Sequence, residues 1–310
     1  MKNSLKIVLY LPLLVGVLIS CDKVENPYEQ VNTVELDTTL YPGVWQDYVD
    51  NEFPDFGQNP NTLVNILIED YTGHTCISCP KAATEAHAIH NSNPTRVFVA
   101  SIHVDPGALL GFQSPYTTGP KYTTDHTNPD GIAYGIEFEN GFNFLGNPQG
   151  TVNRKEKDGK MFDFLGTWQS RTDDIINAND LKVNIQSEFN YYQSTNGGFL
   201  HVEAENMTSD VIEMKTVVYV IQDSLVDWQK MPDNSDNEFY VHRDKHLGSI
   251  DDNPFGISTF DTDATAGDKV NLDYSYEIPA GLAVSNMHFL IYLYDVDTYE
   301  ILQVIKQEIE

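Results

Sequence analysis

Cys76 and Cys79, in the run Cys-Ile-Ser-Cys, are the residues whose types and spacing can do covalent chemistry. A thiol near the start of a helix feels the positive end of the helix dipole, which favours the thiolate and lowers its pKa. A second thiol one turn further in can attack a mixed disulfide formed by the first. On this reading Cys76 is the exposed attacking thiol and Cys79 the resolving one. Tyr71-Thr72-Gly73-His74-Thr75 leads into the pair, so the thiols are expected where a parallel sheet presents strand ends and helix N-termini. A protonated His74 would add positive charge beside Cys76; a solvated loop histidine would not. The pair has two other uses. It can be a static disulfide, since exported chains meet oxidising surroundings, or half of a zinc site. His87 and His90 lie one turn apart, as ligands do, but there is no second Cys-x-x-Cys, and the expectation is no metal and no cofactor.

The flanking sequence spells the elements that would hold such a pair. Leu63 to Ile68 and Arg96 to Val104 are short apolar runs of the buried-strand kind. Between them Ala82, Ala86 and Ile89 recur at helical spacing from Lys81 to His90. Strand, helix, strand predicts a right-handed crossover in a parallel sheet. Residues 105–143, rich in Gly, Pro, Thr and Tyr, read as an insertion holding a short helix and covering the site. Regular structure is expected again near Gly150 to Arg154, with a closing helix from Trp168 to Ile176. Beyond Asn179 the texture is all-β. Leu181 to Phe189 alternates, and further strands are expected at Phe199–Ala204, Met214–Ile221, Lys269–Tyr276, Met287–Tyr294 and Ile301–Ile309. Such short strands with turn-rich spacers argue for an antiparallel sandwich of immunoglobulin-like architecture.

The third cysteine has a different setting. Lys2 and Lys6 precede an apolar stretch from Ile7 to Ser20, too short to span a bilayer comfortably, so a cleaved export signal is expected over residues 1–20. Leu18-Ile19-Ser20-Cys21 resembles a bacterial lipobox, which implies lipidation of Cys21 and a membrane partner reached through the lipid. Residues 21–60 then read as a tether, with local structure near Tyr41 to Trp45. The chain of 310 residues has 46 acidic against 18 basic side chains and a net charge of −28, which makes nucleic acid and anionic membrane surfaces poor partners. Asp261-Thr262-Asp263 opens like a calcium loop, but Ala266 and Leu272 stand where that loop needs Gly and Glu.

At Cys76 and Cys79 the chain resembles the thioredoxin-like superfamily. That resemblance implies that Asp70, six residues before Cys76, is the buried acid serving the resolving thiol, with Glu69 the fallback if the register slips by one. It also implies that Pro148, in Gly146-Asn147-Pro148-Gln149, is the cis-proline facing the disulfide. The chain departs from the superfamily pattern in Ile77-Ser78, in Pro80 directly after the motif, and in the long stretch from Cys79 to Pro148. The lipobox, the run from Glu69 to Pro80, Asn153-Arg154 and Tyr240-Val241-His242-Arg243 together resemble the outer-membrane-protein-28-related lipoproteins. The organisation expected is a thioredoxin-like α/β domain over 61–178 followed by a β-sandwich over 179–310. A lipoprotein of the outer membrane, facing the periplasm or the surface, is the expected setting. The function expected is thiol-disulfide exchange with a protein thiol or disulfide client; the alternative is a binding lipoprotein with a structural disulfide, whose sandwich takes an unknown partner.

Overall fold

The computed structural model describes residues 35–107 and 110–309. The export signal over 1–20, the lipidation residue Cys21 and the tether up to residue 34 lie outside the described residues. From residue 35 the expected tether is folded chain. Asp37 caps a 3-10 turn at Thr38–Leu40, and helix α1 follows at Trp45–Asn51. The cause is aromatic: Tyr41, Trp45, Tyr48 and Phe53 fall on one side and pack with Phe199, and Trp45 stacks on Tyr48 with centroids 4.8 Å apart. The Tyr48 hydroxyl meets His201, whose other ring nitrogen bonds Asp273 at 2.7 Å, so the aromatic packing is also fixed in direction.

Strand β1 (Ile66–Thr72), helix α2 (Cys79–Ser92) and strand β2 (Val97–His103) form the expected crossover, with β1 and β2 parallel and Ile66 opposite Val97. Strand β1 starts later than the apolar run suggests and takes in Tyr71 and Thr72, so the lead to the cysteines is only Gly73 to Thr75. The insertion holds helix α3 (Pro129–Glu139), begun by Asn128, whose side chain accepts from the Gly131 N–H while Pro129 occupies the first turn. Strand β3 (Gln149–Val152) pairs antiparallel with β1, and α4 (Trp168–Ala178) packs over it.

Ten strands follow: β4 (Val183–Tyr192), β5 (Gly197–Asn206), β6 (Met214–Gln222), β7 (Leu225–Lys230), β8 (Asp236–His242), β9 (Lys245–Ser249), β10 (Ile257–Phe260), β11 (Lys269–Glu277), β12 (Met287–Asp295) and β13 (Ile301–Glu308). Strands β11, β5 and β4 make a small antiparallel sheet. The large sheet runs β13-β12-β6-β9-β2-β1-β3, with β10 on β6. It therefore continues through both halves of the chain, β2 meeting β9 in parallel at Ser101 and Lys245. Across the change of texture near residue 179 one core cluster is shared, while two others each lie within one half. One face of the large sheet, with Leu67, Ile102, Tyr219 and Tyr292, packs against Tyr134 and Phe138 of α3. On the opposite face, Ile66, Ile68 and Val99 pack under α2 and α4, while Val218, Val220, Phe289 and Ile291 face the small sheet. Strands β7 and β8 stand apart as a two-stranded hairpin.

The two halves are also joined by a buried ion pair. Arg154, just after β3, donates from Nε and Nη2 to the Glu69 carboxylate of β1 at 2.8 and 2.7 Å, and from Nη2 to the hydroxyls of Tyr219 and Tyr292. Its guanidinium lies over the rings of Tyr134 and Phe138, each 5.1 Å away. Burial alone would raise the Glu69 carboxyl. The Arg154 charge and the bonds from Arg154, Thr151 and Tyr219 outweigh it and hold Glu69 below the ordinary carboxylate range.

Candidate functional site

Cys76 and Cys79 are joined as a disulfide, with the pair at the mouth of α2. Ser78 stands at the helix N-cap without a side-chain cap, and the Cys79 N–H instead donates to the Cys76 sulfur at 3.2 Å. An orphan N–H of the first turn is thereby aimed at the sulfur expected to attack. Pro80 occupies the first turn, where its missing N–H costs nothing.

One expectation is corrected here: Cys76 is not exposed. It is 2% accessible and Cys79 1%, while Ile77 between them is 48% exposed. Two segments lie against the loop that carries the pair. The turn at Gly111–Gln113 lies against the approach to the pair: Phe112 C=O accepts from the Thr75 N–H, and the Gln113 amide donates to the Thr72 carbonyl. From the other side Gln229 of β7 donates to the carbonyls of Gly73 (3.2 Å) and Cys76 (3.1 Å), and the Lys230 N–H donates to the His74 carbonyl at 2.8 Å. His74 is likewise buried rather than solvated, and burial lowers its pKa, so it brings no charge to Cys76 at neutral pH.

Asp70 is fully buried, and neither carboxylate oxygen has a hydrogen-bond partner among the described residues. Burial raises its pKa to about 7. Glu69 points the other way, into its pair with Arg154, so the register needs no slip and the fallback is excluded as a free acid. Asp70 lines a cavity of about 500 Å³ together with Thr72, Ser101 and His103 of the sheet, His87 of α2, and Tyr240 and His242 of β8. Pro148 is buried and its bond to Asn147 is cis. The Asn147 amide donates to the carbonyls of Thr72 (2.9 Å) and Val104 (2.8 Å), which lays this loop across the ends of β1 and β2 beside the lead to Cys76. The disulfide follows the end of β1 at the start of α2, the loop holding Pro148 is tied to the ends of β1 and β2 through Asn147, and Asp70 lies two residues before the end of β1.

The sequence reading places His74 beside Cys76 but does not anticipate that three further histidines join it. His74 before the cysteines, His103 at the end of β2, His126 before α3 and His242 at the end of β8 converge in one buried cluster. Ring centroids are 5.5 Å apart for His74 and His126, 5.0 Å for His103 and His126, 5.1 Å for His126 and His242, and 5.4 Å for His103 and His242. Burial lowers His126 to about 3 and His242 to about 4, and pushes His103 well below its ordinary value. Among the described residues, no three His, Cys, Asp or Glu side chains are arranged to hold a metal ion. His87 and His90, weighed as ligands, instead line a neighbouring cleft.

Comparison with known proteins extends this picture. The structure is similar to HBP35 of Porphyromonas gingivalis, with 14% identity, a TM-score of 0.61, and coverage of 81% of this chain and 77% of that one. This likeness is one of fold. Protein AGR_C_4864 from Agrobacterium tumefaciens matches at 15% identity over 81% of this chain and 96% of that one, with a TM-score of 0.46. A domain of the outer membrane lipoprotein Omp28 from P. gingivalis matches at 17% identity over 42% of this chain and 90% of that one, with a TM-score of 0.27. These two scores are too low to bear on architecture. No curated protein matches the chain. The family model for outer membrane protein Omp28 matches residues 136–310, more than half of the chain, and takes in Arg154, the β7–β8 hairpin and both sheets beyond residue 179. Among the described residues no helix is long and apolar enough to cross a membrane. The chain belongs to the Omp28 family of outer membrane proteins, and its place is the cell envelope.

Proposed function

We propose that this protein is a lipid-anchored thiol-disulfide exchange protein of the outer membrane, working through Cys76 and Cys79 in a thioredoxin-like portion carried on an immunoglobulin-like sandwich. The observation that carries the reading is Asp70: a buried carboxyl without a hydrogen-bond partner, on the strand that leads into the disulfide and raised to about 7 by burial. Such a group can take or return a proton at neutral pH. From the oxidised pair, a client thiolate attacks the Cys76 sulfur, the Cys76–Cys79 bond breaks, and the Cys79 thiolate leaves to be protonated by Asp70. A second client thiolate then attacks the client sulfur of the mixed disulfide, and Cys76 leaves as thiolate. The client loses two electrons and forms its disulfide; the pair gains them. The reverse sequence reduces a client. In either direction the Cys79 N–H stabilises charge on Cys76.

Trapping tests this reading. Cys79→Ser leaves Cys76 without its resolving partner, so mixed disulfides with envelope proteins are expected to accumulate; Cys76→Ser is expected to accumulate few. The second reading, a structural disulfide in a binding protein, is favoured by the 2% accessibility of Cys76. It predicts no captured partner from either variant, even in reduced protein.

A further inference from the structure

The four histidines come from four separate segments, and two of those segments are the disulfide loop and the hairpin that covers it. His74 lies within the disulfide lead, and its carbonyl accepts the Lys230 N–H of β7. His242 ends β8. His103 is fixed in one tautomer: the Gln113 amide donates to the Thr72 carbonyl, which turns its oxygen toward His103 Nδ1 at 3.3 Å and leaves Nε2 a bare, unpartnered acceptor. His126 lies between opposite charges, with Nε2 3.2 Å from the Asp227 carboxylate of β7 and Nδ1 3.4 Å from the Lys245 ammonium of β9. Against His74 stand the Ser114 backbone and the neutral ring of Tyr122, 5.4 Å away, and Tyr240 packs on His242 at 4.8 Å; Asp227 acts on His74 and His242, and Asp125 on His74 and Lys245, from a distance. The cluster therefore has one contacting carboxylate, already offset by one ammonium. It has no second contacting carboxylate for two protonated rings some 5 Å apart, because Asp70, across the cavity that His103 and His242 also line, is itself raised to about 7 by burial.

The hairpin is the segment able to give way. Among the described residues β7 and β8 pair only with each other, and their outward side chains Val226 and Phe239 are 54% and 73% exposed. A two-stranded hairpin has little stability of its own and stays where its contacts hold it. Those contacts are the bonds of Gln229 and Lys230 to the disulfide loop, the Asp236 carboxylate shared by Lys121 and Tyr122, the Trp228 ring against Tyr122 and Lys121, the Asp227 bond to Thr124, and the histidines. We propose that the histidine cluster is an acid-sensitive latch: uncharged, it holds the β7–β8 hairpin over Cys76, and protonation drives the hairpin off and opens the disulfide to solvent. This goes beyond exchange chemistry and does not depend on it, because a gated disulfide need not be catalytic.

Each histidine freed by opening returns to an ordinary pKa near 6.5, so the open fraction rises by up to about tenfold per pH unit per histidine as pH falls below that value. The test is reduction of Cys76–Cys79 by a water-soluble phosphine between pH 7 and 4.5 on the whole chain. The expected result is at least a tenfold acceleration from pH 6.5 to 5, with the profile flattened in His126→Gln/His242→Gln. A wild-type rate that does not rise over this range overturns the proposal, as does the same rise in the double variant. Should that variant fail to fold, 19F spectra of wild-type protein labelled with 5-fluorotryptophan decide. The Trp228 signal, on β7, is expected to shift with acid while those of Trp45 and Trp168 stay. All three moving together, or none, overturns the latch.

Discussion

Glu69 and Asp70 are neighbours in the chain, both buried, and the protein treats them in opposite ways. Glu69 is held ionised by Arg154, whereas Asp70 has only burial acting on it and rises to about 7. A carboxyl whose folded pKa lies above its unfolded value weakens the fold as pH rises from the unfolded value through the folded one. Asp70→Asn should therefore stabilise the protein, with a gain near zero at pH 4 that grows to about 2–4 kcal/mol by pH 8, at about 1.4 kcal/mol per pH unit of difference. Urea unfolding across that range measures it, and a gain independent of pH would show that Asp70 is not raised. For the ion pair, Arg154→Met leaves the Glu69 carboxylate buried without its charge partner and should cost about 3–5 kcal/mol, while Glu69→Leu/Arg154→Met should cost less than the single change. A double variant worse than Arg154→Met would contradict this account of the pair. At this scale the sequence exposed the cysteines and Asp70, because they sit in one twelve-residue run from Glu69 to Pro80. His74, His242 and Arg154 stand out in the sequence, but the histidine cluster and the Glu69–Arg154 pair do not, because contacts between residues 74, 103, 126 and 242, or 69 and 154, leave no local pattern.

At the scale of elements, regular alternation was a sound guide. Strands β4, β5, β6, β11, β12 and β13 all fall where alternating runs stand, since each buries at least one face against a second layer. Strands β7 to β10 were missed. Their burial is mixed and they are short, and the segment from Asp223 to Phe260 carries turn residues such as Asn234, Asn253, Pro232 and Pro254. Helix α1 is legible only as local structure near Tyr41 to Trp45, because it is stabilised by aromatic contacts to a distant strand rather than by its own periodicity. Packing between elements makes its own prediction at Gly150. A Cβ there would lie 2.5 Å from both the Glu69 carbonyl and the Trp168 ring, so Gly150→Ala should lower stability by about 1–3 kcal/mol by pushing α4 off β3. An unchanged denaturation midpoint would mean that α4 is not seated as described. The hairpin supplies the other: Gln229→Ala removes the side-chain bonds to Gly73 and Cys76, and alkylation of reduced Cys76 is expected to speed up several-fold at neutral pH, while an unchanged rate would show that the turn at Gly111–Gln113 alone controls access.

For the whole molecule, one sheet and one core cluster join the α/β portion to the sandwich across the texture change near residue 179, while each half also has a cluster of its own. A fragment over 179–310 would leave Tyr219, Leu290 and Tyr292 without Arg154 and α3 against them. It should melt well below the whole chain and bind an apolar dye, and a fragment as stable as the intact protein would argue for independent units. On the proposed function the disulfide of the intact chain is exchangeable. The direct measurement is its reduction potential against glutathione buffers at pH 7. Exchange predicts a value above about −300 mV, within the span of about −270 to −120 mV found for thioredoxin-like and oxidising exchange proteins. A potential below about −300 mV, resistant to the glutathione pool, would contradict the account and leave Cys76–Cys79 as a structural bond.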